Sequence, residues 1–133
     1  IGEGLFTEKV KGVGIRSMKE PGTAYDDPVL GKDPQPAHYK DLYSGVKDNG
    51  GVHINSGIPN KAFYLAATAI GGYAWEKAGK IWYIALRDRL RSSSDFKSAA
   101  LIISQVAGEL YGEGSNEQKA VQNAWEQVGV SLK

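Results

Sequence analysis

Apolar and polar residues alternate with a helical period over most of the chain beyond residue 56 and with no sustained period before it. Four stripes stand out. Ser56 reads as an N-cap, Pro59 falls in the first turn where a missing N–H is harmless, and Ile58, Ala62, Leu65, Ala66 and Ala69 form one face that Gly71-Gly72 ends. A second helix is predicted near Trp75–Arg91, apolar on several sides (Trp75, Ala78, Ile81, Trp82, Ala85, Leu86), as suits the centre of a bundle. Ser94 or Asp95 caps a third over Asp95–Tyr111, and Ser115 with Gln118 forms a capping box for a fourth over Asn116–Val128.

Residues 1–50 are rich in glycine and proline, with Asp-Asp-Pro and Lys-Asp-Pro turn signals and a short helix expected around His38–Tyr43. Leu5, Phe6, Val10 and Ile15 are too frequent there for a solvated tether. The pattern predicts a mainly α fold: a helical bundle of about four to five helices over 51–133, preceded by an ordered, irregular arm over 1–50.

Composition narrows the function. Sixteen basic and 15 acidic residues give a net charge of +1, so there is no electrostatic case for nucleic acid or an anionic membrane as partner. Cysteine is absent, which excludes disulfides, thiolate metal sites and cysteine nucleophiles. No apolar run reaches the roughly 18 residues that span a bilayer. The chain opens Ile1-Gly2-Glu3 without methionine, so a preceding segment is expected.

One segment carries chemistry: Asp48-Asn49-Gly50-Gly51-Val52-His53-Ile54-Asn55-Ser56-Gly57-Ile58. A carboxylate and an imidazole stand five apart across a Gly-Gly turn, and glycines let the backbone double back so that Asp48 reaches His53. A carboxylate on one ring nitrogen fixes the tautomer and leaves the other nitrogen for a developing oxyanion. On spacing alone the pair reads rather as a turn aspartate and a histidine that caps or fills the turn. His38 reads as a surface or packing residue. Trp75, Trp82, Tyr83 and Trp125, at helical spacing, read as core rather than as an aromatic binding surface.

This segment closely resembles the C-terminal signature of the thermolysin-like zinc metallopeptidase family, Asn-Gly-Gly-Val-His-Ile-Asn-Ser-Gly-Ile. Gly14-Ile15-Arg16-Ser17-Met18, Gln35-Pro36-Ala37-His38-Tyr39, Gly79-Lys80-Ile81-Trp82-Tyr83 and Ala124–Val130 resemble further stretches of the family in the same order. Gly57-Ile58-Pro59-Asn60 is similar to the protealysin-like branch. The resemblance implies the C-terminal half of a zinc-dependent endopeptidase that cleaves before bulky hydrophobic residues of a protein or peptide substrate. It also implies an N-terminal domain, missing from this chain, that holds the zinc; the chain's only histidines, His38 and His53, do not form a His-Glu-x-x-His motif. Alone, the chain is expected to be inactive.

By the same resemblance His53 matches the histidine that hydrogen-bonds the tetrahedral intermediate, and Asp48 matches its carboxylate partner. Arg16 matches the arginine at the substrate carbonyl, and Ile1, Leu5 and Ile15 align with the primed-side pocket. Glu3 aligns with a calcium-ligating glutamate, although Val13, Gly14, Lys9 and Lys11 depart from the pattern of the arm's peripheral calcium site. The loop over 19–37 is longer than the thermolysin pattern. Secretion is implied for the family and a cytoplasmic place for the protealysin-like branch. Uncovered Ile1, Leu5 and Ile15 would let the isolated domain self-associate. The competing reading is a non-catalytic helical interaction module or a degenerate relative.

Overall fold

A computed structural model describes residues 1–132. In chain order it contains two short strands, β1 (Asp26–Asp27) and β2 (Gly31–Lys32), a 3-10 turn (Tyr39–Asp41), and helices α1 (Lys47–Asn55), α2 (Gly57–Ile70), α3 (Ala78–Asp88), α4 (Phe96–Tyr111) and α5 (Asn116–Gln127). The chain divides into two compact units, Ile1–Lys61 and the part from Ala62 onward.

The first unit has few backbone ladders, and aspartates satisfy amides that a sheet would otherwise satisfy. β1 and β2 pair antiparallel, Asp26 with Lys32 and Asp27 with Gly31. Their hairpin lies within the loop over 19–37 that is longer than the thermolysin pattern. Asp27 closes it: Oδ1 accepts from the amides of Val29 and Leu30 at 2.8 and 3.0 Å, and Oδ2 from that of Lys11 at 2.9 Å. These amides, Lys11 first, hold the Asp27 carboxyl below the usual aspartate range. Buried Asp33 closes the next bend, accepting from the amides of Gly22, Ala24 and Gln35. The 3-10 turn is capped by His38, whose Nδ1 accepts from the Lys40 amide at 3.1 Å.

In the second unit α4 packs against both α3 and α5. α4 buries Ala100, Ile103, Val106 and Ala107, and α5 buries Val121, Ala124 and Trp125. Asp95 caps α4 through the Ser98 amide at 2.7 Å, and Ser115 caps α5 through the Gln118 amide at 3.2 Å. Phe63 of α2 meets Trp82 of α3 edge-on, with ring centroids 5.3 Å apart.

Several expectations need correction. α3 is shorter than Trp75–Arg91, because Tyr73–Lys77 closes a separate turn: Glu76 Oε2 accepts from the Tyr73 amide and the Gly79 amide reaches the Ala74 carbonyl. Trp75 is therefore not core; it is 73% exposed and stacks on Tyr73 at 4.5 Å. α3 is not apolar all round, since it buries only Ala78, Ile81 and Ala85, while Tyr83 and Leu86 are exposed. Ser56 is not an N-cap. Its own backbone is helical, and its hydroxyl donates back to the His53 carbonyl at 2.7 Å. Gln118 does not complete a capping box on Ser115. Its side-chain oxygen accepts from the Gly114 amide instead, and its nitrogen donates to the Ser104 carbonyl.

Candidate active site

α1 is not one regular helix. Asp48, Asn49, Gly50 and Gly51 all have positive φ (55°, 49°, 78° and 84°), forming a single left-handed turn before the chain reverts to a right-handed one at Val52–Asn55. Asp and Asn are the non-glycine residues that tolerate this region, and glycine enters it freely. At Gly51 glycine is needed twice over: φ is 84°, and a Cβ would lie 2.6 Å from Tyr43 Cδ1. Tyr43 is held there by buried Asn55, whose Oδ1 accepts from the Tyr43 amide and whose Nδ2 donates to the Tyr43 carbonyl, each at 2.9 Å.

This reversal delivers the Asp48 carboxylate to the start of the right-handed turn. Oδ2 accepts from the amides of His53 and Ile54 at 2.8 and 2.9 Å, and Oδ1 lies 2.6 Å from His53 Nδ1. The His53 ring, and after it the Ile54 amide, hold the Asp48 carboxyl below the usual aspartate range. An ionised carboxylate only accepts, so the proton of this contact sits on Nδ1 and the Nε2 edge is left free of Asp48. The His53 side chain is 78% exposed, so that edge is open to a ligand.

The other expected site residues gather on the arm. The Ile15 and Arg16 amides donate to the Ile1 carbonyl at 2.9 and 3.3 Å, and a pocket of about 260 Å³ is lined by Ile1, Glu3, Arg16 and Met18 among others. Side-chain carbons of Ile15 and Leu5 lie 3.0 and 3.3 Å from the Cβ direction of Gly2. Ile1, Leu5 and Ile15 are exposed at 63%, 69% and 42%. Arg16 Nη1 donates to the Ile15 carbonyl at 2.7 Å. The expected residues thus fall into two sets, Asp48 with His53 and the arm residues with one another. Among the described residues no group of three or more His, Cys, Asp or Glu side chains is placed to hold a metal ion. No helix among them is long and apolar enough to cross a membrane.

Over residues 1–130 the chain matches the family described as thermolysin metallopeptidase, alpha-helical domain. The chain belongs to the thermolysin metallopeptidase family. It is 54% identical over its full length to Protease PrtS of Photorhabdus sp. (strain Az29), covering 36% of that protein. It is 49% identical to an Extracellular metalloprotease of Pectobacterium carotovorum subsp. carotovorum, covering 38% of it. Its fold matches the precursor of protealysin, a metalloproteinase from Serratia proteamaculans, with a TM-score of 0.93 and 57% identity over 98% of this chain and 40% of that one. The chain therefore spans well under half the length of these relatives, and it corresponds to the family's C-terminal helical domain.

Sequence reasoning missed Gln35, which bonds the His53 carbonyl, and Asn55 and Tyr43, which brace the turn at Gly51. Apart from Ser56 Oγ, which Gln35 also meets, the partners of Gln35 and Asn55 are backbone groups, which carry no residue-type signal.

Proposed function

We propose that this chain is the helical half of a zinc-dependent endopeptidase and that His53 is its oxyanion donor. Zinc and its ligands are assigned to residues outside this chain. When water adds to a scissile carbonyl, the oxygen gains negative charge, and a hydrogen bond from Nε2–H of a doubly protonated His53 strengthens as that charge develops. Such a bond favours the transition state over bound substrate. Asp48 holds the ring by Nδ1 and offsets the positive charge. Arg16 serves the substrate carbonyl, and exposed Ile1, Leu5 and Ile15 offer apolar surface to a bulky side chain after the scissile bond. Export of the whole protein accords with the name of the Pectobacterium relative.

The observation that carries this reading is the Asp48–His53 contact at 2.6 Å beneath a ring that is 78% exposed. A histidine kept for packing would be covered; this one is oriented on one edge and bare on the other. The test is His53→Ala in the full-length protein. Loss of one oxyanion donor lowers kcat by about 10²–10³, while KM for a peptide with leucine after the scissile bond and zinc content stay near wild type. Near-normal turnover, or loss of stoichiometric zinc, overturns the assignment.

A further inference from the structure

His53 is an exposed ring on a short turn, so its position depends on how its backbone is held. Asp48 grips the amide and the ring. The carbonyl is gripped by a different residue. Gln35 Nε2 donates to the His53 carbonyl at 2.8 Å and to Ser56 Oγ at 2.7 Å, and Ser56 Oγ donates to the same carbonyl at 2.7 Å. Three bonds close a triangle on the far side of His53 from Asp48.

Gln35 is itself fixed. It is 3% exposed, and its amide donates to Asp33 Oδ1 at 3.1 Å, while Asp33 Oδ2 accepts from Gly22 and Ala24 at 3.0 and 3.2 Å. The next residue presses on the same turn: a Cβ at Gly57 would lie 2.5 Å from the Pro36 carbonyl oxygen. The amide end that reaches His53 must be the nitrogen, because a carbonyl only accepts. Gln35 Oε1 is then buried with no partner, an arrangement that costs folding free energy.

We propose that Gln35 is a positioning residue for His53, holding through its carbonyl the backbone from which the oxyanion donor projects. This rests on the role given to His53 above. Gln35→Met in the full-length protein removes the clamp together with the unpaired oxygen, so the folded state keeps or gains thermal stability. Displacement of a catalytic group by about 1 Å costs up to roughly 10²-fold, and kcat for Gln35→Met is expected to fall by about tenfold or more on that ground, with KM within about twofold. In a His53→Ala background the same substitution has no further effect on kcat.

Unchanged kcat in Gln35→Met, or an equal further fall in the His53→Ala background, overturns the proposal. Should Gln35→Met fail to fold, Gln35→Leu, which likewise removes both bonds that Gln35 donates, is measured in both backgrounds and read by the same criteria. If His53→Ala by itself keeps normal turnover, the reading of His53 fails first; if it is impaired while Gln35→Met is not, only the role of Gln35 fails.

Discussion

Replacing Asp48 separates two jobs that one carboxylate performs. Its Oδ2 accepts from two backbone amides and its Oδ1 accepts a hydrogen bond from His53 Nδ1. Asn at this position preserves the first job, since an amide oxygen can occupy the Oδ2 place and Asn tolerates φ near 55°. Its NH₂ then faces Nδ1, which must accept, so the ring proton moves to Nε2 and the ring is neutral. A neutral donor to an oxyanion is about half as strong as a charge-assisted one. Of the 10²–10³ ascribed to His53, Asp48→Asn should therefore forfeit roughly the square root, about ten- to thirtyfold in kcat. Asp48→Ala loses more structure, because two amides lose their acceptor and alanine is strained at φ 55°. Its kcat loss should still stay below that of His53→Ala. The assay is steady-state hydrolysis of a chromogenic peptide by the full-length variants, with zinc content and thermal melting alongside. Nitrogen-15 NMR of the ring reports the tautomer directly. The reasoning fails if Asp48→Asn turns over at the wild-type rate while NMR shows the proton moved to Nε2.

Three other outcomes follow from the geometry. Gly51→Ala should destabilise the protein by more than about 1 kcal/mol and lower kcat with it, since positive φ and contact with Tyr43 both oppose a Cβ; urea unfolding as stable as wild type would contradict this. Trp125, 1% exposed with an unpartnered Nε1, should cost about 3–5 kcal/mol as Ala and far less as Phe, which discards the buried donor; chemical denaturation of both variants gives the comparison. Asp27 and Asp48 are held below 3.8 in the folded chain, Asp27 chiefly by the Lys11 amide and Asp48 chiefly by the His53 ring. A depressed carboxyl stabilises above its unfolded value and loses that contribution as pH falls through the folded one, so the loss falls below pH 3.8. Melting curves should show a shallower acid decline for Asp27→Asn than for wild type, and identical declines would refute the assignment.

The helices from Ala62 onward were legible because two local signals agree, a 3.6-residue apolar period and a capping side chain such as Asp95 or Ser115. The family was legible because residues 48–58 form a specific run whose neighbours occur in the same order. What the period could not decide was which apolar residues would find a partner. Trp75 and Leu86 continue the stripe of α3 and yet lie exposed, since burial depends on what packs alongside and not on spacing. Ser56 looks like a cap until His53 three residues earlier proves helical as well. Gln35 could not be read at all. The partner that matters to His53 is a backbone carbonyl 18 residues away, which every residue possesses, and only the folded chain decides which carbonyl a buried amide will meet.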